Sequence, residues 1–325
     1  MATLETTFAG LKLKNPIIIS SSGLTDSAAK NQKLYEAGAG AIVLKSLFEE
    51  QIMMEADWLG DPNMYPEGSD YLVGYIREHK LGEYLNLIKE TKKVCDIPVI
   101  ASINCFSNSE WTDFARTVEA AGADALEINI LSLQTEKEYQ YGSFEQRHID
   151  IVSSIKKQIS IPVIVKLGSN LTNPIALINQ LYANGANAVV LFNRFYQPDI
   201  NIDTMTYSAG DVFSTPADLS NGLRWTAIAS AQVPQTDYAI SGGVHDGKAI
   251  VKAILAGASA VELCSVIYQR GNQAIADMTN EMTQWMNRQG YKDISEFKSS
   301  MNALSTGASN PFERTQFMKY FSSKE

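Results

Sequence analysis

The sequence predicts an α/β chain folded as a single (β/α)8 TIM barrel over residues 1–325, with long loops on its C-terminal face. Three observations carry that expectation. Eight short apolar runs alternate with helical stretches over about 260 residues, as consecutive strand–helix units require. Four helices stop at a glycine followed by alanine just before the next strand, at Gly38, Gly122, Gly185 and Gly257. The first strand runs into Ser20-Ser21-Ser22-Gly23 and not into the GxGxxG of an open dinucleotide-binding sheet.

Taken in order, the strands are Pro16–Ser20, Ala41–Lys45, Pro98–Ile103, Ala125–Asn129, Pro162–Leu167, Ala188–Asn193, Tyr238–Ser241 and Ala260–Cys264. Each is nearly continuous in apolar residues, the pattern of a parallel strand covered on both faces. Glu110–Ala121, Glu145–Gln158, Pro174–Ala183 and Gly247–Ala256 carry apolar residues at three- and four-residue spacing and read as helices. The tail from Asn272 reads as a further helix outside the barrel. Three connections are too long for simple turns: Ser46–His79, Leu131–Ser143 and Arg194–Ser220. All follow strands, so all belong to the C-terminal face, where barrel enzymes work.

A chain of 325 residues that is 45% hydrophobic and 19% charged can bury a large core. Its formal charge of -9 argues against nucleic acid or an acidic membrane as partner. Three scattered cysteines, Cys95, Cys105 and Cys264, suggest neither a zinc site nor a disulfide framework, which fits a soluble protein of a reduced cytoplasm. His79, His148 and His245 lack ligand spacing and are expected on the solvated surface.

The strand ends present Ser21-Ser22-Gly23, Lys45-Ser46, Ser102, Asn129, Lys166, Asn193, Gly242-Gly243 and Cys264-Ser265. No Asp/Glu/His cluster appears among them, so no metal is expected. The N–H groups at Gly242-Gly243 and Cys264-Ser265 read as a phosphate cradle after the last two strands. Two lysines with amide donors suit an electron-rich, partly anionic ring, and FMN fits that description. A single such lysine is also what a Schiff-base aldolase uses, and Lys166 is the candidate in that reading. Glu127, inside strand four, is a candidate polar partner for a lysine.

Read together, these residues resemble the dihydroorotate dehydrogenase family, especially its soluble forms, over essentially the whole chain. The carriers are TTFAGLKLKNPIIISSSG at the first strand, VLKS around Lys45, EIN at Asn129, IPVIVKL around Lys166, Asn193, and ISGGVHDGKAIVKAILAGASAVELCS at the phosphate end. The resemblance implies an FMN oxidoreductase that oxidises dihydroorotate to orotate in pyrimidine biosynthesis, commonly as a homodimer. It puts Lys45, Asn129 and Asn193 against both flavin and substrate, and Lys166 against the flavin ring. The family's catalytic cysteine after strand four is replaced by Ser132, which takes the base position, and its following asparagine by Gln134. No counterpart of the family's substrate loop occurs in Ser46–His79, which keeps a different dihydropyrimidine or an enone open as substrate.

Overall fold

The computed structural model describes residues 2–48, 66–104, 108–305 and 312, with backbone alone for 66–73 and 108–110. Eight parallel strands close into a barrel: Ile17–Ile19, Ala41–Val43, Val99–Asn104, Ala125–Asn129, Val163–Gly168, Ala188–Asn193, Asp237–Ser241 and Ala260–Leu263. Each pairs with its successor, and the eighth pairs back onto the first through Val261–Leu263 against Ile17–Ile19. These are the eight strands expected, with ends moved by a residue or two.

Strand alternation sorts the apolar residues into two layers. Outward positions such as Ile17, Ile19, Ile42, Val165 and Leu191 pack under the helices in the large core. Inward positions are smaller on average: Ile18, Ala41, Val43, Ile100, Ala125, Ile164, Ala188, Val190, Ala239 and Ala260 fill the barrel itself. A hairpin of Thr6–Phe8 and Leu11–Leu13 adds Phe8 and Leu13 to that inner layer. Ala9 N–H donates to Asp237 Oδ2 (2.9 Å) at the start of strand seven, which ties the hairpin to the strands' N-terminal ends. The lower barrel is thus packed and dry, and the space for a ligand lies at the other end.

Helices Pro174–Ala183 and Gly247–Ala256 run as expected, each started by a side-chain cap: Asn173 Oδ1 accepts from Ala176 N–H and Asp246 Oδ1 from Ala249 N–H. Such caps contribute about 1 kcal/mol each. Gly38, Gly122, Gly185 and Gly257 all have φ between 95° and 114°, the left-handed stop that the repeated glycines predict. The tail forms a helix over Gln273–Gln289, packed on Gly247–Ala256 so closely that a Cβ at Gly247 would meet Glu281 and the Met278 carbonyl.

Two expectations need correction. The connection read as a loop to His79 contains the start of a 29-residue helix, Pro66–Val94. Its Gly68, Gly74 and Gly82 weaken helix propensity enough to hide it. Residues 49–65 of that connection, and Cys105, lie outside the described residues. The connection after strand six is likewise not plain loop, since Pro198–Asn201 and Thr206–Ala209 pair as an exposed hairpin.

Candidate active site

Towards the C-terminal mouth the inward positions turn polar on most strands: Ile18 is followed by Ser20, Val43 by Lys45, Ile100 by Ser102, Ala125 by Glu127 and Asn129, Ile164 by Lys166, Ala239 by Ser241 and Ala260 by Glu262. The result is a cavity of about 750 Å³ at the C-terminal mouth, within the usual range for a cofactor or substrate pocket. Ser21, Ser22, Gly23, Lys45, Ser46, Asn129, Lys166, Asn193, Gly242, Gly243, Cys264 and Ser265 all line it. Twelve residues chosen from strand ends therefore meet in one space.

Lys45 is exposed to this cavity, and no described side chain pairs with it. Lys166 differs: it is 5% exposed and bound on all sides. Its Nζ lies 2.6 Å from Glu262 Oε2, 2.9 Å from Ser20 Oγ and 3.9 Å from Glu127 Oε1. Burial by itself would lower the lysine's pKa, but the charges of Glu262 and Glu127 outweigh it and hold the group above its ordinary value. A Schiff-base lysine needs a neutral amine. Ion-paired to Glu262 at 2.6 Å, Lys166 is placed to hold a positive charge, which argues against the aldolase alternative.

The amides of strands four and six meet directly, with Asn193 Nδ2 donating to Asn129 Oδ1 (2.8 Å). That bond leaves the Asn129 amide hydrogens and the Asn193 oxygen for a ligand. A chain of hydroxyls leads away from the cavity: Ser21 Oγ to Ser46 Oγ (2.9 Å) to Ser102 Oγ (2.7 Å). Ser102 is fully buried behind the wall and does not line the cavity. Tyr84 fixes it there by accepting its N–H at 2.6 Å and donating to its carbonyl at 2.9 Å.

At the far end, Gly242 and Gly243 adopt φ of 94° and 75°. The N–H groups of Gly243 and Val244 have no acceptor among the described residues and border the cavity. A Cβ at Gly242 would stand in open space, whereas one at Gly243 would sit 2.0 Å from the Leu219 nitrogen. These are the marks of a backbone nest for an anion. Gly243→Ala should displace the turn from Leu219 and weaken inorganic phosphate binding, read by calorimetry, at least tenfold. An unchanged affinity would move the anion site elsewhere.

Ser132 and Gln134 sit on the loop after strand four, outside the residues that line the cavity. Gln134 Nε2 donates to Ser132 Oγ (2.9 Å), and Asn170 Nδ2 donates to the Ser132 carbonyl (3.0 Å). Leu131, between Asn129 and Ser132, does line the wall.

The expectation of three surface histidines fails for His148. It is fully buried on the helix Ser143–Lys156, with Nδ1 2.7 Å from the Phe144 carbonyl and its ring edge-on to Phe144. His245 is half-buried beside the nest, with Nε2 3.0 Å from Ser214 Oγ, and burial lowers its pKa. Glu262 was not anticipated at all. Its signal was present: AVEL places a glutamate at the third position of strand eight, as ALEI does for Glu127 in strand four.

A sequence profile of the dihydroorotate dehydrogenase family matches residues 3–286. The catalytic subunit of dihydroorotate dehydrogenase B (NAD(+)) from Thermoplasma volcanium is 29% identical over 305 residues, covering 91% of this chain and 97% of that protein. The same-named subunit from Methanosarcina mazei is 28% identical, covering 89% of this chain and 92% of that protein. The NAD-dependent dihydropyrimidine dehydrogenase subunit PreA of Escherichia coli is 24% identical, covering 90% of this chain and 75% of that protein. Among the described residues, no helix is long and apolar enough to cross a membrane.

Proposed function

The chain belongs to the dihydroorotate dehydrogenase family, an oxidoreductase family, and from that premise we propose that it binds FMN and oxidises dihydroorotate to orotate. The observation that carries this reading is the joining of a backbone anion nest, an exposed lysine and paired amides in one cavity of about 750 Å³. The nest at Gly242–Val244, with Cys264 and Ser265 beside it, would hold the phosphate. Ser21, Ser22, Gly23, Ser46, Asn129 and Lys166 would hold the ring. When bound, the flavin supplies a hydride acceptor.

The remaining work falls to side chains. Lys45 offers an ammonium to a substrate carboxylate, and Asn129 with Asn193 orients the amide edges of the ring being oxidised. Ser132 is assigned the base. Its Oγ accepts a bond from Gln134, and as it takes a proton from carbon it would pass its own to a solvent water, which the half-buried position of Ser132 allows. Substrate burial then needs the Leu131–Ser132 segment to turn inward.

The PreA relative supports a second reading, a dihydropyrimidine without a carboxylate. Lys45 favours the anionic substrate, because a cation that faces the cavity with no partner among the described residues is best used by a charged ligand. Anaerobic titration separates them: dihydroorotate should bleach the bound flavin at least tenfold faster than dihydrouracil. The reverse order would assign the substrate to the uncharged ring.

The family's resemblance also implies a homodimer, and the relatives' names describe subunits of larger assemblies. Ile200, Ile202, Met205 and Tyr207 on the hairpin after strand six are 61–88% exposed. An isolated two-stranded hairpin with apolar side chains in water is poorly stable, which supports a covering partner on this face.

A further inference from the structure

Three carboxyl oxygens at the closed end of the cavity have no hydrogen-bond donor among the described residues: both of Glu127 and Oε1 of Glu262. The fourth, Glu262 Oε2, receives Lys166 Nζ at 2.6 Å and Ser20 Oγ at 2.9 Å. Glu127 is 1% exposed and Glu262 2%. Both carboxyl groups border the same ammonium: Lys166 Nζ lies 2.6 Å from Glu262 Oε2 and 3.9 Å from Glu127 Oε1.

Lys166 from strand five and Ser20 from the end of strand one contact this pair; Cys264 follows the strand that carries Glu262, and the Tyr84 hydroxyl is bound to Ser102 behind the wall. Lys166 is the cation among them. If both carboxyls were ionised, the cluster would carry a net negative charge in a place closed to water, with three acceptors unfilled. Like charges in such a site do not both ionise. One proton removes the excess charge and supplies a donor where none is present.

We propose that Glu127 and Glu262 share one proton beneath the cavity, so that with Lys166 they form an electrically neutral floor that sets the reduction potential of the bound flavin. The flavin half rests on the function proposed above; the shared proton rests on the burial of both carboxyls, their unfilled oxygens and the one ammonium between them. The electrostatics agree. Burial and the charge of Glu262 raise the Glu127 pKa well above the carboxylate range. Burial opposes ionisation of Glu262 too, but Lys166 and its hydrogen bonds hold that group below its ordinary value.

A neutral floor makes a non-additive prediction. Removing either carboxyl leaves the other to ionise against Lys166, and the floor stays neutral. Removing both strands a cation under the ring. Infrared spectra of the protein as purified should show the carbonyl stretch of a protonated carboxylic acid, shifted in heavy water and absent in both Glu127→Gln and Glu262→Gln. Each single variant should keep the flavin's reduced-to-oxidised ratio at a fixed potential within twofold. The double variant should raise that ratio at least tenfold, about 30 mV for a two-electron couple. No acid band in the parent, equal upward steps in the two single variants, or an unmoved double variant would each overturn the proposal. If the protein takes up no flavin, the function proposed above fails while the infrared arm still decides the shared proton.

Discussion

Replacing Lys166 with Met should destabilise the protein by about 3–5 kcal/mol, the usual cost of stripping a buried carboxylate of its partner. The methionine fills the space of the lysine stem, so cavity formation adds little. What remains is Glu262, 2% exposed, held ionised mainly by a charge that is now gone.

The pH dependence of that loss follows from its sign. In the parent, Lys166 lowers the folded pKa of Glu262 against the pull of burial. In the variant the Ser20 hydroxyl remains but the opposing charge is gone, so burial dominates and the folded pKa rises above the unfolded one. A group raised in this way favours the folded state when protonated, so the variant recovers stability as pH falls towards the unfolded carboxylate range. Urea unfolding at pH 8 and pH 5 should show a deficit that shrinks at the lower pH. A deficit below about 1 kcal/mol, or one that ignores pH, would mean that the Lys166–Glu262 pair is not what holds the floor together.

The second large effect concerns rate. Ser132→Ala should slow anaerobic flavin reduction by roughly 10²–10⁴-fold with the flavin still bound, the span of positioned acid–base catalysis. Ser132→Cys should restore much of the rate and make it climb towards the thiol pKa. Stopped-flow absorbance reads both. Because Ser132 bonds to Gln134 outside the cavity wall, a parent-like rate in the alanine variant would assign proton removal to another group.

The parts of this molecule that were legible in the sequence share a physical cause. Parallel strands buried on both faces must be continuous in apolar residues, so Val163–Gly168 and Ala188–Asn193 announce themselves within a residue. A glycine in positive φ after four of the helices, at Gly38, Gly122, Gly185 and Gly257, marks the next strand just as plainly. Strand ends follow from strand identity, which is why so many scattered candidates converge on one cavity. The helix from Pro66 was missed because its glycines mimic loop composition. His148 was misplaced because a lone histidine carries no sign of whether a backbone carbonyl, here that of Phe144, waits for it. Glu262 was passed over because one glutamate in AVEL looks like an imperfection in a strand. Only the ring of strands shows that it faces Lys166 and Glu127 across the barrel.

The central claim is that this cavity is a flavin site, and the visible spectrum of the purified protein tests it most directly. The protein should be yellow, with a chromophore that denaturation releases as free FMN, in one equivalent per chain, and that rebinds on refolding. A colourless protein that does not take up added FMN would contradict it.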